Sequence, residues 1–336
     1  MTRRHSWALL ALLSLVLAVG ACRRDEPAPE AAPPGDPVAA VEALADALHD
    51  GDLVRWSRLS LPPDLHARTE QAWVRRHELA EPPTAEDAAE YAKVMARLSA
   101  PDAEEALLRD LEPKLRQFEG EIAGQWPLMQ ATMTIFLNAA IQANAELSDV
   151  QKAHGAEVAD NLMQWLKPAL FTDRARARRA VAVLSRTARE IDLPTLEQAR
   201  ALPMKPALEK GGIALRGVKE VLGIYGLDVD HSLAGVQAKV LQSTDDTATV
   251  EVTYPLLDRT HRFELEMVRR DGGWYSAEAG ARPRPIWPSW TRRPPRSTRR
   301  RPPPLPAPAE APRWTPSTPR ARLRRPGPAA RPSGRG

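Results

Sequence analysis

The sequence predicts an α+β protein, with a mainly helical body over about residues 36–225 and a small antiparallel β-meander over 226–279. Beyond these, residues 280–336 form a disordered Arg/Pro-rich tail. Three observations carry this prediction. Apolar residues recur at helical spacing through the first span. After about residue 235 the period drops to two, between Asp- and Gly-containing turn signals. At residue 280 both periods stop and the charge changes sign. Of the 336 residues 43% are hydrophobic, enough for one or two cored domains. Whether helices and meander share one core is open at this level. The chain contains a single cysteine, so no intramolecular disulfide supports the fold.

The N-terminal segment comes first. Arg3 and Arg4 precede an apolar run from Trp7 to Val19. That run is shorter than the roughly 20 residues of a membrane helix but suits a signal-peptide core. Gly20 and Ala21 supply small residues, and Cys22 follows directly. The stretch resembles the lipobox of bacterial lipoproteins. The resemblance implies a signal peptide over 1–21, cleavage between Ala21 and Cys22, and acylation of Cys22, which then anchors the chain in a membrane. Since Arg23 and not Asp follows the cysteine, the family's sorting habit implies the outer membrane, with the body facing the periplasm. An ordinary secreted signal is the alternative. A retained membrane helix fits less well, because Arg23, Arg24, Asp25 and Glu26 close the run early. Residues 22–35, charged and then rich in Pro and Ala, read as a tether reaching on the order of 40 Å.

The helical body opens at Asp36-Pro37, an N-cap followed by proline in the first turn. Val38, Val41, Leu44, Ala45 and Leu48 share a face, and Gly51 stops the helix. A short apolar piece, Leu53 to Leu61, ends at Pro62-Pro63, and a second helix spans Asp64 to Leu79. Thr84 with Asp87 resembles a capping box, ahead of a helix facing inward with Tyr91, Val94, Met95 and Leu98. The next helix runs from Pro101 to Phe118, with Leu107, Leu108, Leu111 and Leu115 inward. Residues 127–147 are apolar enough to raise the question of membrane insertion. Gln130, Asn138, Gln142 and Asn144 interrupt them, which favours a central buried helix of a bundle over a membrane-inserting segment. Ser148 caps a helix with Val150, Val158, Leu162 and Trp165 inward. A further helix starts at Thr172, and a last one, Met204 to Tyr225, is cut by Gly211-Gly212.

In the meander, Val236, Ala238 and Val240 alternate with polar residues before a turn at Thr244-Asp245-Asp246. Ala248, Val250, Val252 and Tyr254 form the clearest strand, and Phe263, Leu265 and Met267 another. Asp271-Gly272-Gly273 is a hairpin turn leading into a final strand from Trp274 to Ala277. The early run Ala47 to Leu53 and the closing meander with Asp-Gly-Gly-Trp resemble the NTF2-like cone family. That resemblance implies helices packed on a curved sheet around a pocket. About 150 helical residues lie between the two pieces, where the family has a few short elements, and no functional residue of the family can be placed here.

The tail differs from everything before it. Residues 280–336 contain 15 Arg, 16 Pro, no Lys and one acidic residue, Glu310, for a net charge of +14. The whole chain carries +4, which leaves −10 for residues 1–279. Two readings stay open. A genuine tail of this charge seeks an anionic envelope polymer, nucleic acid being an unlikely partner for an exported chain. Alternatively, Lys-free Arg/Pro/Ala/Gly sequence is the product of a frameshift near residues 278–285 in a GC-rich gene. Read one base earlier with common codons, Ile286 to Thr291 becomes Asp-Leu-Ala-Glu-Leu-Asp, the start of an amphipathic helix.

Motifs for catalysis are absent from the sequence. The seven histidines show no metal-binding spacing, and no Gly-rich phosphate loop or Gly-x-Ser-x-Gly elbow occurs. Asp228-Val229-Asp230-His231 reads as a polar turn in preference to a cation site. Glu251, Glu264 and Glu266 alternate with the apolar residues and belong to a solvated sheet face, whereas a pocket-lining role for them and His261 is the less favoured reading. Arg174, Arg176, Arg178 and Arg179 crowd one helix start, against the helix dipole. They fit a solvated face better than an anionic-partner site. The expectations are therefore Cys22 as the one assigned site, with no catalytic residue, metal or cofactor. The expected function is a non-enzymatic binding or scaffolding role at the cell envelope, with an envelope protein or anionic polymer as partner. A small-molecule or lipid carrier is the alternative and an enzyme the least favoured. A carrier requires an enclosed cavity beneath Val250, Val252, Phe263 and Leu265. A scaffold requires that space to be filled and an apolar patch exposed elsewhere.

Overall fold

The computed structural model describes residues 34–79, 82–145 and 147–281. The expectations for residues 1–33, including Ala21, Cys22 and most of the tether, and those for the tail beyond residue 281 lie outside the described residues. Within them the fold is α+β, as the sequence predicts: a helical body followed by a four-stranded antiparallel sheet.

Local sequence accounts for most helix boundaries. In α1 (Pro37–Asp50), Asp36 Oδ1 accepts from Ala39 N–H at 2.9 Å, and Gly51 at φ +70° ends the helix. The apolar piece before Pro62 is itself a helix, α2 (Leu53–Ser60), capped by Asp52, and α3 (Pro63–Leu79) follows. Thr84 caps α4 (Ala85–Ser99) by accepting from Asp87 N–H at 3.1 Å. After α5 (Ala103–Gln117) the chain widens into a π-turn at Phe118–Ile122, then enters α6 (Trp126–Ala143). Ser148 and Gln151 form a reciprocal capping box at the start of α7 (Asp149–Trp165). The body closes with α8 (Pro168–Thr172), α9 (Arg174–Ile191), α10 (Leu196–Ala201), α11 (Met204–Ile224) and α12 (Val229–Ala234).

The helical core lies where α9 packs against α11, α4 and α5. Met95, Ala188, Ile191, Leu193, Ala199 and Ala214 are buried there together. Tyr91 crosses this core to donate to the Leu193 carbonyl at 3.0 Å, and burial pushes its hydroxyl pKa up to about 12. Gly211-Gly212 does not cut the last long helix; α11 runs through it without a break. The glycines permit close packing instead, since a Cβ on Gly212 would lie 2.1 Å from the Gly51 carbonyl oxygen.

The sheet, in order β1 (Gln237–Ser243), β2 (Thr247–Leu256), β3 (Arg259–Arg270) and β4 (Gly273–Ser276), follows the predicted meander. Cross-strand pairs Ala248↔Met267, Val250↔Leu265, Val252↔Phe263 and Tyr254↔His261 stack along one face. That face buries Ala40 and Val41 of α1, with Trp274 of β4 closing its edge. The last strand is shorter than expected. Ala277 already belongs to α13 (Ala277–Ala281), whose first turn is tied back by Ser276 Oγ accepting from Ala279 N–H at 3.2 Å.

The main correction concerns α6. It is not the buried centre of a bundle: none of its residues is buried, and its chief neighbour is α7 alone. The sequence reading failed because high apolarity was equated with burial. Similarly, Val150 of α7 points outward, while Ala159 and Asn161 are the buried residues of that helix.

Candidate functional site

The space beneath the sheet is filled. Val250, Val252 and Met267 are buried against Ala40, Val41 and Trp274, with Val240, Phe263 and Leu265 packed at their margin. One concavity among the described residues is an open groove between α5 and α9, lined by Leu108, Leu111, Leu115, Arg174 and Arg178. The arginines at the start of α9 are partly neutralised. Arg174 lies 3.9 Å from Glu112 of α5, and Arg176 lies 3.8 Å from Asp173. Asp173 caps α9, and the Arg176 N–H, foremost, holds its carboxyl below the usual range.

A polar cluster extends the apolar face of the sheet under α7. Residues 154 and 161 lie seven apart on α7, so His154 and Asn161 face the same way. His261 and Tyr254 lie opposite each other on β3 and β2. Asn161 Nδ2 donates to the Leu256 carbonyl at 2.9 Å and meets His261 Nε2 at 3.0 Å. A carbonyl can only accept, so the Leu256 bond orients the amide, and Nδ2 must also donate to His261. His261 Nε2 is then an acceptor, which places a ring proton on Nδ1. Tyr254 Oη and His154 Nε2 share a hydrogen bond at 3.1 Å, and Phe263 lies 4.8 Å from the His154 ring centre. His154 Nδ1 is buried without a hydrogen-bond partner, although the Arg262 backbone is close enough to favour the protonated ring. Burial, aided by His261, nevertheless lowers the His154 pKa against the opposing pull of Glu157.

His154, Glu157 and His261 each offer a ligand atom within 4.8 Å of the others. The sequence spacing gave no sign of this grouping, because His154 and His261 are separated by more than a hundred residues. As arranged, His261 Nε2 accepts from Asn161 and His154 Nε2 is hydrogen-bonded to Tyr254. A cation would have to displace Tyr254 or Asn161, or take the Nδ1 proton of His261. The cluster is thus a hydrogen-bonded network joining α7 to the sheet, with His154 Nδ1 its one unpartnered atom. The signal that could have found it is the register that places His261 in phase with Phe263, Leu265 and Met267.

The Asp228 segment is also more ordered than a turn. Asp228 caps α12, and Asp230 pairs with Lys219 of α11, a buried lysine that sequence reading passed over. Lys219 Nζ also donates to the Leu48 carbonyl at 3.1 Å and to the His49 carbonyl, at the C-terminus of α1. Glu264 and Glu266 are exposed and Glu251 is partly so, paired with Arg262 at 3.4 Å, which fits a solvated sheet face.

Among the described residues, α6 presents an exposed apolar face. Leu128 is 74% exposed, Ile135 69% and Phe136 71%, with Met129, Met133 and Leu137 beside them. No described helix is long and apolar enough to cross a membrane. No known family profile, no curated protein and no solved structure matches the chain.

Proposed function

We propose that this chain is a lipid-anchored protein of the cell envelope with a non-enzymatic binding or scaffolding role, acylated at Cys22 after cleavage at Ala21 and held at the outer membrane facing the periplasm. The observation that carries the reading is the apolar face of α6, exposed beside a sheet whose core is filled. A carrier needs the space under Val250 and Val252 for cargo, and side chains occupy it. An enzyme needs convergent polar groups around an accessible cavity, and the polar cluster under α7 is packed into the sheet. A contiguous apolar face on a helix without charged residues is the expected form of a binding surface. The lipobox resemblance supplies the address, and the Pro/Ala-rich segment up to Gly35 supplies the reach.

The test is the intact mass of the protein extracted from its native membrane fraction. A chain beginning at Cys22 with a lipid-sized increment supports the reading. An unlipidated chain refutes the anchored part of it. The C-terminal mass from the same spectrum decides whether residues 280–336 are translated as written.

A further inference from the structure

We propose that α6 beds its outward face into the headgroup–acyl boundary of a zwitterionic phospholipid bilayer, as a second membrane contact beside the lipid anchor. The inference rests on the anchored reading above and names the partner of its exposed helix.

The first argument is that α6 is inside out. Its half-buried residues are Trp126, Gln130, Thr134, Asn138 and Ile141, a stripe at spacings of four, four, four and three that faces α7. The middle of that stripe is polar. Gln130 Nε2 donates to the Met163 carbonyl, Thr134 Oγ1 donates to the Gln130 carbonyl at 2.9 Å, and Asn138 Oδ1 is buried. The opposite side carries Leu128, Met129, Ile135 and Phe136. Of the polar residues on that side, Thr132 turns its hydroxyl back to the Leu128 carbonyl at 2.8 Å, and Gln142, in phase with Ile135, is exposed in the last turn. A helix in water shows the reverse arrangement. Polar residues facing protein and apolar residues facing outward are the arrangement for lipid contact.

The second argument is charge. From Ile122 to Ala145 there is no Asp, Glu, Lys or Arg. The nearest charged residues in the chain, Glu119, Glu121, Glu146 and Asp149, are all acidic. A surface with this rim gains nothing from anionic headgroups, so the attraction is apolar and selects neutral lipid. The third argument is shape. The apolar residues cover more than one side of the cylinder, from Leu128 and Ile135 round to Met129 and Met133, whereas a single partner helix covers one ridge. The helix is about 27 Å long at about 1.5 Å per residue and does not qualify as a span. The adjoining α7 carries Asp149, Lys152, Glu157 and Asp160, which keep the pair from entering the hydrocarbon. α6 therefore lies in the plane of the interface.

The fourth argument is reach. The Gly35 carbonyl accepts from Trp274 Nε1 at 3.3 Å. Four residues further on, Glu278 accepts from Gln151 Nε2 at 2.8 Å, in the first turn of α7, just past the end of α6. Gly35, at the end of the tether, is thus linked through β4 and α13 to the start of α7, next to the C-terminal end of α6. The tether's reach, on the order of 40 Å, lets anchor and helix meet one bilayer.

Cys22 is the only cysteine, so a chain from position 22 carrying Cys22→Ser and Phe136→Cys has one thiol for an environment-sensitive fluorophore. The vesicles are pure dioleoylphosphatidylcholine. The expected result is a blue-shifted emission with a several-fold gain in intensity at position 136, and no change for a label at Arg75→Cys on α3. Flotation of the Cys22→Ser chain with the same vesicles should persist in high salt. It should fall at least tenfold in Ile135→Glu/Phe136→Glu, whose circular dichroism and melting temperature should match the parent because both positions are exposed. A folded monomer that neither floats nor shifts overturns the proposal. Flotation that requires anionic lipid overturns it too. A lipid-free dimer in sedimentation, with the label at position 136 already shielded, assigns the face to a second copy. Since the tested chain has no lipid, these outcomes are independent of the mass measurement that decides the anchor.

Discussion

Replacing Lys219 with methionine tests how the helical core is joined to the sheet core. The lysine is buried in α11, yet its ammonium reaches the last-turn carbonyls of α1 and the carboxylate of Asp230 on α12. Carbonyls at a helix C-terminus have no partner within the helix and favour a nearby cation. Methionine refills most of the apolar stem and removes only the charged head. A hydrogen bond to a charged group contributes about 1.5–3 kcal/mol. The Leu48 carbonyl keeps a second donor, the Gly51 N–H at 3.2 Å, so the loss falls on His49 and Asp230. Asp230 is half-exposed and water can solvate it once the lysine is gone. The expected loss is therefore about 3 kcal/mol, with a fall in Tm of about 6–12 °C for a body of this size. Urea unfolding followed by circular dichroism at pH 7.5 measures it. Asp230→Asn retains an acceptor at a half-exposed site and should lose under about 1 kcal/mol. The reasoning is refuted if Lys219→Met stays within about 1 kcal/mol of the parent. It is refuted equally if both variants lose the same amount, since the ion pair and not the capped helix end would then dominate.

Two further predictions follow from the packing. Burial, with help from His261, lowers the His154 pKa below its usual 6.5, so the folded state binds fewer protons than the unfolded one. Its contribution to stability is complete above about pH 6.5 and is lost as pH falls through the lowered value. Urea midpoints should therefore drop between pH 7 and pH 5, and His154→Gln should flatten that slope; an unchanged slope would show that another group is responsible. Gly212→Ala should destabilise strongly, because its Cβ meets a backbone oxygen at 2.1 Å. Gly223→Ala faces open space and should stabilise by about 0.5 kcal/mol, and equal effects at the two sites would contradict the packing described.

What the sequence made legible was local. Asp36-Pro37, Thr84 and Ser148 mark helix starts because a cap is a contact across three residues. Asp271-Gly272 marks the last hairpin because both residues adopt positive φ, at 50° and 82°. The strands follow from strict alternation. The errors came where the decisive contact was distant. Gly212 looks like a helix breaker until Gly51, some 160 residues earlier, is seen against it. Lys219 looks like one more surface lysine until α1 ends on it. His154 and His261 have no common motif, and only the pairing of α7 with β3 brings them together. In α6 the orientation is written in the sequence itself. Gln130, Thr134 and Asn138 recur every four residues, which is a polar stripe and not a set of interruptions.

That stripe bears on how α6 is held. α7 meets the sheet through His154 and Asn161, and it meets α6 through the Met163 and Leu166 carbonyls, which accept from Gln130 and Trp126. Both sides of α7 thus carry hydrogen bonds, beside apolar contacts of Gly155 with Ile141 and of His154 with Phe263. Hydrogen bonds fix angle and register more tightly than apolar contact does, because their strength falls steeply with misalignment. An α6 attached by apolar residues would turn its hydrophobic side into the protein and leave a polar surface. Tied to α7 by Gln130 and Trp126, with Thr134 and Asn138 in the same stripe, it turns that side outward. The exposure of Leu128, Ile135 and Phe136 is therefore a consequence of how the helix is fastened. Substituting Gln130 and Asn138 with leucine should let the helix roll inward, which would reduce the labelling of a thiol placed at Phe136→Cys. If the labelling rate stays unchanged, the polar stripe does not set the orientation of the helix.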